Sequence, residues 1–382
     1  MFLPKPEPYA LAISAQLSEL VQENILKHGG ALDFAHYMDL ALYAPALGYY
    51  AAGAVKFGAE GDFITAPEIS PLFGQTLARQ IAQVLMLTGG DVFEAGAGSG
   101  ALAATVLGAL AELDCLPDHY YLLEVSADLR ERQAQHIAQQ VPDLAHRVVW
   151  LDSWPEAMTG CVIANELLDA LPVHMLHWRG EGIYQRQVIW DEQGFVWQDA
   201  PLPAGELREL AEQIAVPPDY ISEIGLVGQA WVRSLADRVR HGVVLLIDYG
   251  FGEHEYYHPQ RSQGTLMCHY RHFAHPDPFY FPGLQDITAH VDFTAMTVSA
   301  QQGGLKLAGF TTQAHFLANC GITDLLAHTP PDQPAKYLPQ VAAVQKLMSP
   351  AEMGELFKVI AFTRGIDQPL MGFVQGDQRR RL

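Results

Sequence analysis

The sequence predicts an α/β fold organised around a parallel sheet. From Asp91 onward, short apolar segments alternate with amphipathic stretches of helical length. A helical pattern precedes this alternation, and two long segments interrupt it later in the chain. Strand, helix and strand in succession require crossover connections, which place the strands parallel and the helices on the faces of the sheet.

The N-terminal part, residues 1–88, is predicted to be a helical region. Helical stretches run from Ile13 to Lys27 and from Pro71 to Leu87. Between them lies a Gly-rich segment, GYYAAGAVKFGAEGDFITAPEIS, which has no helical periodicity. We therefore expect two helices joined by a long loop in this region.

The core of the α/β fold is predicted at residues 89–172 and 241–382. The segments DVFEAG, YYLLEV, VVWLDS and CVIANE indicate four strands, and the segments between the first three have helical patterns. Near the chain end, Ser349 to Glu352 fits a capping box with proline at the first helical position. We expect a helix to begin there and to feed the strand FKVIAF, which closes the core sheet.

Two insertions interrupt the core. Residues 173–240 are longer than one crossover requires, and the stretch HMLHWRGEGIYQRQVIWDEQGFVWQ alternates as a hairpin or small antiparallel sheet does. A helix from Glu223 to Arg240 is expected to return the chain to the main sheet. Residues 251–300 begin with a loop rich in Tyr, His, Pro and Gly, and loops of this length are usually functional or disordered.

The composition is that of a globular protein with a strong acidic excess. Of 382 residues, 49% are hydrophobic and 17% are charged. The 43 acidic and 23 Lys and Arg residues give a net charge of -20, which repels nucleic-acid phosphates and attracts cationic partners such as basic peptides. The acidity could also serve solubility alone, so it excludes a nucleic-acid partner without identifying a substrate.

The cysteines and the N-terminus indicate the compartment. The four cysteines form no CxxC pair, so neither a zinc site nor a disulfide framework is suggested. The first residues lack the features of a signal or transit peptide, and no apolar run reaches the length of about 18 residues needed to span a membrane. We therefore expect a cytoplasmic protein without membrane insertion.

The segment from Glu94 to Gly100 is the first candidate site. Gly96, Gly98 and Gly100 follow an apolar strand and open a helix, where glycine lets a ligand approach backbone N–H groups. Gly96, Gly98 and Ala101 also satisfy the relaxed dinucleotide fingerprint. The glycines therefore predict a small-molecule site but leave nicotinamide and adenosyl cofactors open.

Polar residues at the ends of the second and third strands extend this site. Glu124 ends the second strand and is placed to accept hydrogen bonds from two ribose hydroxyls, whichever cofactor binds. Asp152 and Ser153 end the third strand, where an adenine ring could lie. Ser153 with Glu156 also fits a capping box, so a purely structural role stays equally open.

The run Asn165 to Pro172 after the fourth strand distinguishes between the cofactors. It places an amide and two carboxylates, Glu166 and Asp169, at the sheet edge where α/β folds bind ligands. This NE-x-x-DA-x-P run, following an ExGxGxG loop, resembles the MidA family of methyltransferases, which includes mitochondrial complex I assembly factors. Further segments that resemble the family in order and spacing are Leu42-Tyr43-x-Pro45, Gly48-Tyr49-Tyr50, Gly61-Asp62-Phe63-x-Thr65, Ser70-x-x-Phe73-Gly74, Asp248-Tyr249-Gly250, Gly283-x-Gln285 to Asp292, and Met353 to Lys358.

This resemblance implies a seven-stranded Rossmann-like fold that depends on S-adenosylmethionine, with a helical N-terminal preface and inserted substrate-side elements. Its mitochondrial members imply symmetric dimethylation of an arginine in a respiratory complex I subunit. The cofactor-binding residues would be Glu94, Gly96, Gly98, Gly100, Glu124, Asp152 and Ser153, with Asp62 and Thr65 over the methionine end. Ala97 stands where many members have proline, which a loop that binds through its backbone tolerates.

The acceptor side carries the candidate catalytic residues. Glu166 and Asp169 are expected to grip an arginine, whose planar guanidinium a carboxylate can engage bidentately. Asn165 could instead contact the acceptor nitrogen, and Glu166 could instead cap a following helix. Asp248 and Tyr249, at the end of the fifth strand, are expected to line the substrate side, with an aromatic face suited to a cation.

Histidines are crowded in the second insertion. His269, His272 and His275 have regular spacing, but without cysteines or tighter pairs they do not indicate a metal site, and no metal is expected. His272 and His290 fall within the family motifs, so a substrate-side role is the better functional interpretation.

Three alternatives to arginine methylation stay open. A nicotinamide-dependent oxidoreductase would share the glycine loop, although the Asn165 run and the late ELFKVIAF segment favour a methyltransferase. An assembly scaffold could bind the cofactor without catalysis, although the intact loop and Glu166 argue against a decayed site. A methyltransferase could act on a small molecule or on a residue other than arginine, whereas the large insertions favour a protein acceptor.

Overall fold

The computed structural model describes residues 4–51 and 64–382 of the chain. The chain divides into two compact units, which we call the sheet unit and the insert unit. The sheet unit comprises Ile64–Leu167, Trp231–Gly250 and Phe293–Leu382. The insert unit comprises Met1–Phe63, Leu168–Ala230 and Phe251–Asp292.

The strands are β1 Leu32–Asp33, β2 Asp91–Ala95, β3 Tyr120–Leu123, β4 Val148–Leu151, β5 Met158–Asn165, β6 His174–Arg179, β7 Gly182–Asp191, β8 Gly194–Pro201, β9 Tyr220–Ile224, β10 Val239–Phe251, β11 Met267–Tyr270, β12 Phe273–His275, β13 Asp286–Thr288, β14 Val291–Asp292, β15 Lys306–Thr312 and β16 Phe357–Arg364. The helices are α1 Pro8–Lys27, α2 Phe34–Tyr43, α3 Ala66–Ile69, α4 Pro71–Thr88, α5 Ala101–Glu112, α6 Ala127–Gln140, α7 Glu206–Ala211, α8 Leu226–Arg238, α9 Glu253–Tyr256, α10 Phe293–Gln302, α11 Gln313–Asn319, α12 Ile322–Ala327, α13 Pro334–Met348 and α14 Met353–Leu356.

The sheet unit is built on strands that follow one another in the order β15-β16-β10-β5-β2-β3-β4. The pairs from β10 to β4 are parallel, and β16 runs antiparallel to both of its neighbours. The central strand β10 has an unbroken apolar run, Val243 to Ile247, that is fully buried, as expected of a strand covered on both faces. The predicted α/β fold with seven strands is therefore confirmed.

Helix α4 illustrates how the sequence specifies the helices of this unit. The Ser70 hydroxyl accepts a hydrogen bond from the N–H of Leu72, proline occupies the first helical position, and Gly89 ends the helix in a left-handed conformation with φ 61°. Leu77, Ile81 and Val84 recur at helical spacing and are fully buried. Burial of each such side chain stabilises the fold by roughly 1.5–3 kcal/mol.

The insert unit contains two antiparallel sheets. Strands β1, β7, β6 and β9 are neighbours in that order, and β8 also pairs with β7 in an antiparallel hairpin. Strands β12, β11 and β13 form a second sheet of three strands. A core that includes Phe34, Tyr37 and Val188 is fully buried within this unit. The predicted small antiparallel sheet after residue 173 is confirmed.

The helix predicted from about Glu223 to Arg240 is confirmed as α8, Leu226–Arg238. It begins three residues later than expected, because Glu223 belongs to strand β9. Its buried carboxylate accepts hydrogen bonds from the N–H groups of Thr265 and Leu266 at 2.8 and 2.9 Å, which fixes it in the interior. The long loop after Asp248 also contains ordered elements, namely α9, β11 and β12.

The predicted capping box at Ser349 was wrong. Ser349 follows the last residue of α13, and the next helix, α14, is a single turn whose N-cap Glu352 makes no side-chain cap hydrogen bond. A side chain at Gly354 would place its Cβ 2.1 Å from the Met348 carbonyl oxygen, so the chain turns back sharply here. The strand that follows, β16, lies between β15 and β10 rather than at the edge of the sheet.

Among residues 4–51 and 64–382, no helix combines the length and apolar character that crossing a bilayer requires.

Candidate active site

The glycine loop between β2 and α5 depends on glycine for its shape. Gly96, Gly98 and Gly100 have φ values of 71°, 52° and 83°, a region that favours glycine. A Cβ at Gly96 would lie 2.9 Å from the Leu167 Cδ1 atom. Gly100 is the N-cap of α5 and makes no side-chain cap hydrogen bond, so no capping side chain blocks an approach to the start of the helix.

Glu94, the acidic residue that precedes this loop, is buried in the sheet. The Tyr120 hydroxyl donates a hydrogen bond of 2.6 Å to the Glu94 Oε2 atom. Burial raises the pKa of Glu94 to about 7, and the hydrogen bond from Tyr120 opposes this rise. Its placement as a cofactor-binding residue stays a prediction.

Glu124 follows β3 and is held by several hydrogen bonds. Its Oε1 accepts from the Ser126 N–H at 2.8 Å, and its Oε2 accepts from the Gln133 Nε2 at 3.2 Å. The Arg130 Nε donates to the Glu124 backbone carbonyl at 2.6 Å. Burial raises the pKa of Glu124, and these hydrogen bonds counteract part of that rise. The carboxylate is therefore oriented before any ligand binds.

Asp152 and Ser153 follow β4 and are both exposed. Arg130 donates from Nη2 to the Asp152 Oδ1 at 2.6 Å and to the Leu151 carbonyl at 2.9 Å, which ties this segment to α6. The capping box of Ser153 with Glu156 was wrong, because no helix begins in this segment.

Sequence reasoning missed two residues in this region. Val125 is 81% exposed directly after Glu124, so an apolar side chain is accessible at this strand end. Gln133, on α6, is fully buried and reaches both Glu124 and the glycine loop. An apolar residue after a strand-end carboxylate is a signal that the sequence contained, whereas the contacts of Gln133 join segments far apart in the chain.

Asn165 and Glu166 leave the sheet beside the glycine loop. Strands β2 and β5 are parallel neighbours with Ala95 opposite Ala164, so Gly96 and Asn165 leave adjacent strands at the same edge. Glu166 has φ 50°, and its N–H donates to the Ile247 carbonyl at 2.9 Å. A non-glycine residue in this conformation stores strain, which is often found at functional sites.

The Asn165 amide and the Glu166 carboxylate are linked. Glu166 Oε1 accepts hydrogen bonds from Asn165 Nδ2 at 3.0 Å and from the Ala66 N–H at 3.1 Å. The Oδ1 atom of Asn165 is buried and has no hydrogen-bond partner within the described part of the chain. No helix begins at residues 167–171, so Glu166 does not cap one. The site thus holds a buried acceptor atom that lacks a donor.

Thr65 lies near this pair through its neighbour Ala66. It is the N-cap of the short helix α3, and its backbone carbonyl accepts from the N–H groups of Glu68 and Ile69. Asp62, the other residue expected over the methionine end of the cofactor, lies outside the described residues.

Asp248 and Tyr249 lie at the same edge of the sheet, because Ile247 of β10 pairs with Asn165 of β5. Asp248 is buried, and its Oδ1 accepts from the Tyr249 N–H at 2.9 Å. In the antiparallel register with β16, Asp248 stands opposite Lys358. The Tyr249 ring makes an edge contact with Phe357 at 5.4 Å.

The remaining predicted residues belong to the insert unit. Asp169 is buried, and its backbone carbonyl accepts from the Ala289 N–H at 3.0 Å. His272 is exposed in the turn between β11 and β12, with φ 66°. The His290 ring stacks on Phe251 at 5.4 Å. Within the described ranges, no group of three or more His, Cys, Asp or Glu residues is arranged to hold a metal ion.

Comparison with known sequences identifies similar proteins over most of the chain. A family model of S-adenosyl-L-methionine-dependent methyltransferases matches residues 76–311. Mitochondrial protein arginine methyltransferase NDUFAF7 of Mus musculus is 30% identical, with 88% of this chain and 82% of that protein covered. Its homologue in Drosophila melanogaster is 29% identical, with 97% of this chain and 92% of that protein covered.

A solved structure is similar over the whole length. A candidate methyl transferase from Burkholderia thailandensis, crystallised with S-adenosyl-homocysteine bound, is 48% identical with a TM-score of 0.97, and 100% of both chains is covered. The expectation of a cytoplasmic location is contradicted, because the curated relatives are named as mitochondrial proteins.

Proposed function

The chain belongs to the family of S-adenosyl-L-methionine-dependent methyltransferases, and from that premise we propose that it methylates an arginine side chain of a protein. The resemblance to the MidA methyltransferases, the fold class and the cofactor S-adenosylmethionine are confirmed. An arginine acceptor is supported by relatives that are named protein arginine methyltransferases.

The residues of the glycine loop fit this cofactor. The three left-handed glycines leave the strand-to-helix turn without side chains, and the oriented Glu124 carboxylate follows the neighbouring strand. Gly96, Gly98 and Gly100 would contact the cofactor through their backbone, and Glu124 would accept from its ribose hydroxyls. When bound, S-adenosylmethionine supplies a methyl group activated by its sulfonium sulfur.

The buried Oδ1 atom of Asn165 is the observation that carries the proposal for the acceptor side. Because its amide N–H already donates to Glu166, this oxygen is available to accept an N–H from a substrate. Glu166 adds a negative charge beside it, so the pair suits a nitrogen that carries both hydrogen and positive charge. An arginine guanidinium has both, in a planar fork that fixes its direction.

Orientation is the main service that these residues would provide. Holding two reactants in line can contribute roughly 7–11 kcal/mol in favourable cases. The nitrogen must also lose a proton, and a free guanidinium retains its proton above about pH 12. A carboxylate such as Glu166 would pair with the guanidinium before transfer and would accept the proton that the nitrogen releases as its bond to the methyl group forms. Asp169 is proposed as a second carboxylate for the acceptor, on the resemblance alone.

The acceptor protein is proposed to be a subunit of respiratory complex I. The MidA family that the sequence resembles includes complex I assembly factors, and a net charge of -20 favours basic peptide segments. The large insertions provide surface for a protein partner beyond the immediate site.

The test is transfer of labelled methyl from S-adenosylmethionine into the proteins of a lysate that lacks this enzyme, with the labelled residue identified by mass spectrometry. We expect label in an arginine, and loss of label with Asn165→Ala at unchanged cofactor affinity. Asn319→Ala is the matched control, because this asparagine donates only to the carbonyls of Gly372 and Gln375 in the described chain. Label in a small molecule, or no transfer by a protein that binds the cofactor, would overturn the proposal.

A further inference from the structure

Gln133 is a buried polar residue that connects three parts of the sheet unit. Its side chain is fully buried on α6. The Nε2 atom donates to the Gly98 carbonyl at 3.1 Å and to the Glu124 Oε2 at 3.2 Å. The Oε1 atom accepts from the indole Nε1 of Trp150 at 2.9 Å. One amide therefore joins the glycine loop, the end of β3 and strand β4.

The orientation of this amide is fixed by chemistry. The indole N–H of Trp150 can only donate, so the amide oxygen of Gln133 must face it. The two amide hydrogens then point at the Gly98 carbonyl and the Glu124 carboxylate, both of which can only accept. The flipped amide would lose all three hydrogen bonds, so Gln133 presents its donors in one direction only.

The backbone of the loop also packs against Gln133. A Cβ at Gly100 would lie 3.3 Å from the Gln133 Cα atom, so the start of α5 closely approaches α6 at this point. Because the glycine loop and the Glu124 carboxylate both accept hydrogen bonds from Gln133, their positions relative to one another depend on this side chain. A rigid supporting shell of this kind holds a binding site in its productive geometry.

We propose that Gln133 is the positioning residue of the cofactor site, which sets the Glu124 carboxylate and the Gly98 backbone in register for the ribose and the loop-bound part of S-adenosylmethionine. This rests on the proposed cofactor contacts of Glu124 and Gly98. The three hydrogen bonds of Gln133 are made to protein atoms, so this side chain would act through Glu124 and Gly98 rather than on the reacting groups. Its loss should therefore weaken cofactor binding and raise the KM for the cofactor while leaving kcat unchanged.

A purely structural glutamine would behave differently, and the chain contains one for comparison. Gln80 on α4 is also fully buried, donates to the Gln83 Oε1 atom and accepts from the Gly372 N–H. It has the same side chain and the same burial, and its amide likewise both donates and accepts hydrogen bonds to protein atoms. Gln80→Met therefore measures the general cost of removing a buried amide from this unit.

Electrostatics supplies a second readout. The hydrogen bond from Gln133 favours the ionised form of Glu124, whose pKa burial raises. The charge of Arg130 on α6 also favours the ionised form of Glu124, and Arg130 forms an ion pair with Asp152 at the end of β4. The other buried carboxyl group nearby is Glu94, on the neighbouring strand β2. Removing the Gln133 donor raises the Glu124 pKa further. Because the ribose hydroxyls need an ionised acceptor, the acid limit of cofactor binding should move to higher pH.

The experiment is calorimetric titration of the full chain with S-adenosylhomocysteine across pH, on the wild type, Gln133→Met, Gln80→Met and Glu124→Gln, with thermal unfolding as the folding control. Loss of these hydrogen bonds should weaken binding by roughly 10- to 100-fold in Gln133→Met and shift its acid limit upward. Gln80→Met should keep both the affinity and the pH profile of the wild type.

The outcomes separate this inference from the site assignment beneath it. If Glu124→Gln binds as tightly as the wild type, the proposed ribose contact is wrong. If Glu124→Gln weakens binding but Gln133→Met does not, or if Gln80→Met weakens it equally, the positioning role of Gln133 is wrong. In a double variant that combines Glu124→Gln with Gln133→Met, binding should be weakened less than about threefold beyond the loss seen in Glu124→Gln alone, because the partner carboxylate of Gln133 is already gone. Should Gln133→Met fail to fold, Trp150→Phe tests the same amide by releasing its oxygen.

Discussion

The ends of β3 and β5 lie at the same edge of the sheet unit but differ in how their polar side chains are satisfied. At the end of β3, both oxygens of Glu124 accept hydrogen bonds and the residue that donates to one of them is itself fixed. At the end of β5, Glu166 has a left-handed backbone, and the buried Oδ1 atom of Asn165 has no partner among residues 4–51 and 64–382. We call the end of β3, together with the glycine loop that Gln133 joins to it, the finished region, because the Glu124 carboxylate there is fully hydrogen-bonded. We call the end of β5 the open region, because it combines backbone strain at Glu166 with an acceptor atom of Asn165 that has no donor among the described residues.

This difference matches the two ligands that the proposed reaction requires. Binding of the cofactor is best served by a preorganised site, since ordering costs are then met during folding. The acceptor nitrogen changes its bonding and charge during transfer, so the groups that face it raise the rate only where they bind it more strongly in the transition state than in the ground state. The predictions below test each side of this contrast.

The largest effect is expected from Gly96→Val in the finished region. Valine at φ 71° is strongly strained, and its Cβ would lie 2.9 Å from the Leu167 Cδ1 atom. We expect binding of S-adenosylhomocysteine to weaken by at least about 100-fold. Calorimetry measures this, with circular dichroism to confirm folding. Gly180→Ala, in an exposed position with no atom within 4 Å of the added Cβ, is the control and should bind normally.

Glu166→Gln should produce a smaller effect of a different kind. The glutamine oxygen can still accept from Ala66 and Asn165, so the fold and the cofactor site are preserved, whereas the charge opposite the acceptor is lost. We expect methyl transfer to fall by about 30-fold, the typical cost of a charged hydrogen bond, with cofactor affinity unchanged. Single-turnover transfer and calorimetry measure the two quantities.

The exposed residue Glu352 provides the matched control for that change. Glu352→Gln removes the same charge from the same unit and should leave transfer intact. If Glu166→Gln lost cofactor binding in proportion to methyl transfer, Glu166 would belong to the cofactor site. The assignment of the β3 end to the cofactor and of the β5 end to the acceptor would then be wrong.

Sequence reasoning recovered the finished region better than the open one. The alternation of strands and helices, the three glycines and Glu124 are local patterns, and the structure places them as the patterns predict. The partners of Glu124 were only half visible, because Ser126 is its neighbour in the chain while Gln133 reaches it from the next helix and is fixed by Trp150 from another strand. Side-chain networks of this kind depend on tertiary packing.

The open region shows what local patterns cannot provide. The run from Asn165 to Pro172 suggested a single cluster of polar groups, but Asn165 and Glu166 belong to the sheet unit and Asp169 belongs to the insert unit. The left-handed φ of Glu166 has no signature in the sequence, since glutamate rarely adopts it. The predicted start of α8 at Glu223 was three residues early for a related reason, because distant backbone donors at Thr265 and Leu266 hold that carboxylate in a strand.

The last prediction concerns stability, and it depends on Glu94, which is buried in β2 two residues before Gly96. Its pKa is raised from 4.5 to about 7, so the folded state binds this proton more tightly than the unfolded chain. The contribution to stability is therefore present in full below pH 4.5 and is lost as pH rises through 7. Glu94→Gln keeps a neutral partner for Tyr120 and should remove this decline, raising the free energy of unfolding at pH 8 by about 3 kcal/mol.

Urea unfolding of the wild type and of Glu94→Gln at pH 5 and pH 8 measures that difference, and Glu352→Gln, an exposed carboxylate, should show none. The same variants titrated with S-adenosylhomocysteine decide what Glu94 does beyond the sheet. If Glu94→Gln is more stable at pH 8 but binds the cofactor more weakly, the raised pKa is a stability cost that the fold accepts to keep a carboxylate behind the glycine loop. If the difference in unfolding free energy between the wild type and Glu94→Gln is the same at both pH values, burial does not raise the pKa of Glu94. The hydrogen bond from Tyr120 then offsets the cost of burying the ionised carboxylate in full.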